Sequence, residues 1–216
     1  MIDHFALWCD VPICVVDFET TGTAPTRGDR IVEIAVVRVE KLKIVKKWQT
    51  FINPQRPIPE EASRVHGIYD EDVALAPTFK QKAAEFIAFC DGAVPCAYQE
   101  GFDRGFAMAE FWSANISLDM PMMKWTPWLD VLAWVRSVDR FVGPDDAKVS
   151  NKLTEACKRR GIDTMGAHGA LADVTQTALL LAAISPEMHR STISELLRRQ
   201  QLLSAAYDRR WQKSRT

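Results

Sequence analysis

Two β-branched runs, residues 30–39 and 43–52, are separated by only three residues. A helical crossover between parallel strands needs a dozen or more, so these runs can pair only as an antiparallel hairpin. A third apolar run, residues 11–18, precedes them and leads into a Gly/Thr/Pro-rich turn at 20–28, the pattern of a buried strand and its loop. Beyond residue 53 the pattern changes. Pro54, Pro57 and Pro59 break the strands, residues 60–66 read as a short helix stopped by Gly67, and Thr78 caps a helix whose Ala83, Phe86, Ile87 and Cys90 keep helical spacing up to Asp91-Gly92. Strand and helix then alternate: a strand at 94–98, a helix at 102–113, a strand at 122–125 and a helix from near Asp130. Helices at 153–160 and 170–184 follow, and a last one opens at Pro186 with Ile193, Leu196, Leu197, Leu203, Tyr207 and Trp211 on one face. An antiparallel start followed by helix-separated strands implies an α/β fold in which a mixed sheet is flanked by helices. The expected organisation is a domain at 1–185 with residues 186–216 forming a basic amphipathic helix packed on it.

Composition narrows the class. At 216 residues, 47% of them hydrophobic, one core can form without disulfides or a structural metal. The five cysteines are an odd number with no Cys-x-x-Cys spacing, which argues against a disulfide framework or zinc knuckle and for a reducing compartment. No stretch approaches the ~20 apolar residues of a membrane span, and the opening lacks a basic leader, so the expectation is a cytoplasmic chain with no membrane partner. Net charge is −1, but from Glu187 onward seven Lys/Arg face three Asp/Glu, leaving the first 186 residues at about −5. Phosphate attraction in the main body therefore falls to local patches or bound cations. In the last helix Arg198, Arg199, Arg209 and Arg210 could track phosphates or simply face solvent.

The chemistry-bearing residues lie in three segments. Asp17 and Glu19 end the first strand two residues apart, so both side chains point to one face, and they repel unless a cation lies between them. The carboxyl end of a central strand in an α/β sheet is where ligand sites collect. Asp103 enters a helix between Phe102 and Phe106, as an N-terminal charge partner for its helix or as a third site carboxylate. His168 and Asp173 bracket the start of another helix. Five residues turn through about 500°, so the two share a target only if His168 lies in the loop before the first turn.

In this arrangement the sequence resembles the DEDDh, DnaQ-like group of 3′-to-5′ exonucleases, the RNase T and proofreading-subunit type. The resemblance rests on Val15-Val16-Asp17-Phe18-Glu19-Thr20-Thr21-Gly22, on Gly101-Phe102-Asp103 and on His168-Gly-Ala-Leu-Ala-Asp173. Asp29-Arg30-Ile31-Val32-Glu33-Ile34, Val65-His66-Gly67-Ile68, Pro77-Thr78-Phe79, Leu129-Asp130-Val131 and Lys152-Leu153 support it, in the family's order, from about residue 13 to 181.

The resemblance implies a ribonuclease-H-like mixed sheet, with antiparallel strands one to three and parallel strands four and five. It also implies a metal-dependent exonuclease that releases nucleoside 5′-monophosphates from single-stranded 3′ ends, DNA favoured over RNA. Asp17, Glu19, Asp103 and Asp173 would hold two Mg²⁺ or Mn²⁺ ions about 4 Å apart, and His168 would take a proton from the attacking water. Thr20, Thr21 and Gly22 would meet the 3′-terminal nucleotide, together with Tyr98 and Gln99, which stand where the family commonly has His-Asn. Partners would be single-stranded DNA or RNA ends, with a polymerase or a second copy as a protein partner. His66 fits packing or site lining, with packing favoured, and Trp125 and Trp128 fit the core before base stacking. Two other readings remain: a non-catalytic module of this fold binding nucleic-acid ends or a polymerase, and a phosphodiesterase of short oligonucleotides. The first has no chemical need for all four acids and the histidine.

Overall fold

The computed structural model describes residues 3–119, 121–124, 127–139, 150–164, 169–188 and 190–213. In chain order the elements are β1 (Ile13–Thr20), β2 (Ile31–Glu40), β3 (Lys43–Phe51), α1 (Glu60–His66), α2 (Asp70–Val73), α3 (Phe79–Cys90), β4 (Val94–Ala97), α4 (Glu100–Ser113), α5 (Pro121–Lys124), β5 (Leu129–Asp130), α6 (Val131–Val138), α7 (Leu153–Arg159), α8 (Ala170–Ile184) and α9 (Ile193–Lys213). The strands form one sheet in the order β3-β2-β1-β4-β5. The first three pair antiparallel, while β4 and β5 join in parallel, as the spacing of the runs requires. The β2–β3 reversal turns on Lys41 and Leu42, at φ +48° and +60°, the left-handed values that a two-residue hairpin turn demands.

Alternation along the strands divides the core into two layers. Phe18 and Trp48 point to one face, where Phe86 of α3 meets them at ring-centroid distances of 6.0 and 6.3 Å and Phe111 of α4 stacks on Phe86 at 6.1 Å. On the other face lies α8, joined to β3 by a hydrogen bond from Lys47 Nζ to Thr175 Oγ1. Asp17 stands opposite Ala35, and Glu19 opposite Glu33, on this second face. The central strand thus carries its two acids under the helix that brings Asp173. Among the described residues no helix is long and apolar enough to cross a membrane.

Two local expectations are corrected. The strand expected at 122–125 is instead the short helix α5, with Trp125 outside the described residues, and the fifth strand is the two-residue β5. A two-residue strand is too short to show a period of two, so its pairing partner and not its own sequence reveals it. The last helix begins at Ile193, not at Pro186, which sits in a 3₁₀ turn at Ser185–Glu187. Thr192 and Glu195 cap that start reciprocally: Glu195 Oε2 accepts from Thr192 N–H at 3.0 Å and Thr192 Oγ1 from Glu195 N–H at 3.3 Å. The one-turn helix α2 had no counterpart in the sequence reading.

Helix α9 buries Ile193, Leu196 and Leu197 in the same core as the sheet. Its Gln200, 2% exposed, accepts from Asp130 N–H and donates to the Trp128 carbonyl, both at 2.8 Å, and so closes the outer edge of β5 as another strand would. Truncation after Ser185 removes four buried apolar side chains, Met188 with the three of α9, worth roughly 1.5–3 kcal/mol each, and strands two buried backbone groups. The truncated chain should lose most of its stability and aggregate. Thermal unfolding as cooperative and as high in temperature as the parent's would show that α9 is not part of the core.

Candidate active site

Four acids from three elements meet at the carboxyl end of β1. Asp17 and Glu19 end that strand, both half-buried. Asp103 lies in the first turns of α4, 4% exposed, and its Oδ1 accepts the Phe18 backbone N–H at 3.2 Å, which ties the helix to the strand between the first two acids. Asp173 lies in the first turn of α8. That helix begins at Ala170 behind an extended Gly169 (φ −134°, ψ 136°), so its first turn starts after position 168. His168 itself lies outside the described residues.

The electrostatics explain why sequence spacing alone suggests a cation here. Burial pushes the Asp17 carboxyl well above the usual carboxylate range, and Asp103, Glu19, Asp173 and Glu33 push it further. Glu19 is raised to about 7, first by burial and then by Glu33 and Asp173. Asp103 is raised by burial, which outweighs the Phe18 N–H bond and is joined by Glu19 and Asp130. Among the described residues, the charged neighbours acting on these three groups are other acids. Hard divalent ions prefer carboxylate oxygens, so the donor set fits a Mg²⁺- or Mn²⁺-like ion. Among the described residues no three acids, histidines or cysteines already stand at the spacing of a closed ligand set, so the acids share a region without closing on one point.

Beside the acids runs the loop that carries Thr20, Thr21 and Gly22. Thr20 Oγ1 donates to the Gly22 carbonyl at 2.6 Å. Thr21, 1% exposed, turns inward: its hydroxyl accepts from Arg30 N–H at 3.0 Å and donates to Asp29 Oδ1 at 3.3 Å. A Cβ on Gly22 would lie under 3 Å from all three atoms of the Asp29 carboxyl group, so only glycine fits beneath that side chain. The Thr21 hydroxyl is thus engaged within the loop and Gly22 has no side chain, which leaves only the backbone of these two residues to face a ligand. Tyr98 follows β4, half-buried, with its hydroxyl donating to the Asn151 carbonyl, while Gln99 is exposed just before α4.

Several residues at the site escaped the sequence reading or gained a place only from the fold. Glu33 is 3% exposed directly across from Glu19; its Oε1 accepts from Gln49 Nε2 and its Oε2 from the Ala170 N–H that starts α8. The available signal was a charge in the middle of a β-branched run. Glu110, 2% exposed, lies seven residues after Asp103 on the same helical stripe as Phe106, an equally legible anomaly. Asp130 is raised to about 6 by burial, against the Ala133 N–H that its carboxylate caps. His66 accepts the Ile68 N–H on Nδ1, its buried Nε2 has no hydrogen-bond partner among the described residues, and burial lowers its pKa despite the nearby Thr20 backbone. The ring therefore packs as the neutral form, next to the strand end that holds the acids. Trp128 is wholly buried, as a core residue.

Comparison with known proteins agrees with this geometry. Residues 14–181 match the RNase_T family, described as exonuclease. The chain is 34% identical over 174 residues to the DNA polymerase III subunit epsilon of Rickettsia prowazekii, covering 79% of this chain and 72% of that protein. It is 31% identical over 176 residues to the 3′-5′ exonuclease DinG of Bacillus subtilis, covering 82% of this chain but only 18% of that protein. Among solved structures it is similar in fold to the nuclease domain of 3′hExo, a DEDDh family member bound to rAMP, with a TM-score of 0.69 at 21% identity over 86% of this chain and 97% of that one. It is also similar to E. coli exonuclease I in complex with a dT13 oligonucleotide, at a TM-score of 0.68 and 20% identity over 81% of this chain and 41% of that one.

Proposed function

This chain belongs to the RNase_T exonuclease family and is a 3′-to-5′ exonuclease, a hydrolase of the DEDDh, DnaQ-like type, and from that premise we propose that it removes nucleoside 5′-monophosphates from single-stranded 3′ ends. The family implies dependence on divalent metal; in our reading Asp17, Glu19, Asp103 and Asp173 hold two Mg²⁺ or Mn²⁺ ions. Bound there, the ions would offset charge on the attacking and leaving oxygens of an in-line displacement.

The chain's own groups supply the rest. His168 takes the proton of the attacking water, since imidazole, with an ordinary pKa of about 6.5, suits the role of base at neutral pH. Thr20 and the backbone at Thr21 and Gly22 seat the terminal nucleotide, together with Tyr98 and Gln99. The observation that carries this reading is the gathering of four acids from β1, α4 and α8 at one strand end, where burial and mutual repulsion raise Asp17, Glu19 and Asp103 together. DNA is the favoured substrate because the relatives matched over most of their length are DNA polymerase subunits, which also makes a polymerase the favoured partner.

The test is degradation of 5′-end-labelled single-stranded DNA and RNA of matched sequence with Mg²⁺, Mn²⁺ or chelator. The expected result is a ladder shortening from the 3′ end, faster on DNA, with mononucleotide products and no activity in chelator. Binding of 3′ ends without any shortening in either metal would favour the non-catalytic module instead.

A further inference from the structure

We propose that Glu110 is a positioning residue for the nucleotide-seating loop, acting through Arg30; the inference rests on the exonuclease reading above and adds a part to it. Glu110 accepts from Arg30 Nε at 2.8 Å, from Arg30 Nη2 at 2.7 Å and from the Ile31 backbone N–H at 3.1 Å. Its side chain is 3% exposed and that of Arg30 28%. A two-pronged guanidinium–carboxylate pair with this little exposure fixes direction as well as distance, unlike a surface ion pair.

What the pair fixes follows from the backbone of Arg30. Thr21 N–H donates to the Arg30 carbonyl at 2.9 Å, and Arg30 N–H donates to Thr21 Oγ1 at 3.0 Å. Asp29, the preceding residue, covers Gly22, receives the Thr21 hydroxyl and accepts from Ala24 N–H at 3.0 Å and Arg56 Nη1 at 3.1 Å. The segment that would seat the terminal nucleotide is thus held by residues 29–30, and residue 30 is held by Glu110.

Glu110 also shares a helix with a site acid. Asp103 fastens the start of α4 to β1 through Phe18 N–H, and Glu110 fastens the same helix to the loop seven residues on, about 10 Å along the axis. The two tethers set the separation between the metal-site acid Asp103 and the nucleotide loop. A polar cavity of about 260 Å³ flanks the pair, lined among others by Asp29, Arg30, Arg56, Glu110 and Ser113. Ion pairing and hydrogen bonds therefore hold residues 29–30 on that side, and Pro25 of the same loop lies against α4 beside Gly105.

The experiment compares the parent chain with Glu110→Gln, which keeps the shape but loses one prong, and with Arg30→Lys, which keeps the charge but cannot fork. On a single-stranded oligonucleotide, KM should rise about 10-fold in Glu110→Gln, and inhibition by the mononucleotide product should weaken in step. The kcat at saturation should stay within about 3-fold, because loop placement is shared by ground and transition states. Arg30→Lys should move the same quantities less, and it decides the matter if Glu110→Gln does not fold. Amide hydrogen exchange across residues 21–30 should speed up about 10-fold while that of β1 stays unchanged. A lower melting temperature with KM and loop exchange as in the parent would make Glu110 a purely structural residue and overturn the proposal, as would a fall in kcat at unchanged KM. A parent chain that degrades no oligonucleotide defeats the exonuclease reading itself; loop exchange, which needs no activity, still decides whether Glu110 holds the loop.

Discussion

Asp17→Asn should lower kcat by at least ~100-fold at saturating Mg²⁺ and, in the same protein, raise the melting temperature in chelator at pH 8. The first effect follows from the site: groups one step removed from a metal already cost ~10–100-fold, and Asp17 is a proposed direct ligand at the centre of the acid cluster. The second follows from linkage. A carboxyl whose folded pKa is raised binds its proton more tightly in the folded state, so stability is highest below the unfolded pKa and falls as pH rises toward the folded one. For Glu19 that window runs from its ordinary 4.5 to about 7. With metal chelated, the parent should therefore be less stable at pH 8 than at pH 5, by on the order of 2 kcal/mol, or several degrees for a chain of this size. Asn at position 17 removes one of the repelling charges, and Mg²⁺ or Mn²⁺ should restore the parent but not the variant. Thermal melts at the two pH values, with and without metal, read this directly. More than about a tenth of parental activity in Asp17→Asn, or a melting temperature independent of pH in chelator, would remove the four acids from the centre of the mechanism.

His168→Gln should slow single-turnover cleavage at neutral pH by ~10²- to 10⁴-fold, the usual contribution of a positioned general base, while leaving metal binding intact. Glutamine keeps hydrogen-bonding capacity at similar reach but cannot accept a proton near pH 7. The rise of the parent's rate through the histidine range, around pH 6–7, should disappear in the variant. Equal single-turnover rates at pH 7.5, with equal metal dependence, would show that the proton of the attacking water leaves by another route.

The local rules that sequence reading uses account for what was legible. The three-residue gap between the runs that became β2 and β3 forced a hairpin, and β1 to β3 formed as expected. Asp17 and Glu19 were readable because a period of two places them on one face, whatever else the chain does. Asp103 and Asp173 were found through their motifs, and the fold added that α4 and α8 carry both to the same strand end. β5 is displaced from its expected place because two residues carry no period, and α9 starts later than Pro186 because Thr192 and Glu195, and not the proline, form its cap.

Composition and spacing determined, by themselves, the order of the longer strands and helices, the hairpin and the pairing of the first two acids, because each depends on residues near one another in the chain. Only the tertiary structure decided which distant groups share an environment. Glu33 lies across from Glu19, Gln200 closes the edge of β5 from seventy residues away, and Glu110 reaches Arg30 across eighty. Each is a polar group that looks misplaced on an apolar stripe until the fold supplies its partner. Burial makes an unpartnered polar group costly, so such positions are tied to contacts that no local pattern can contain.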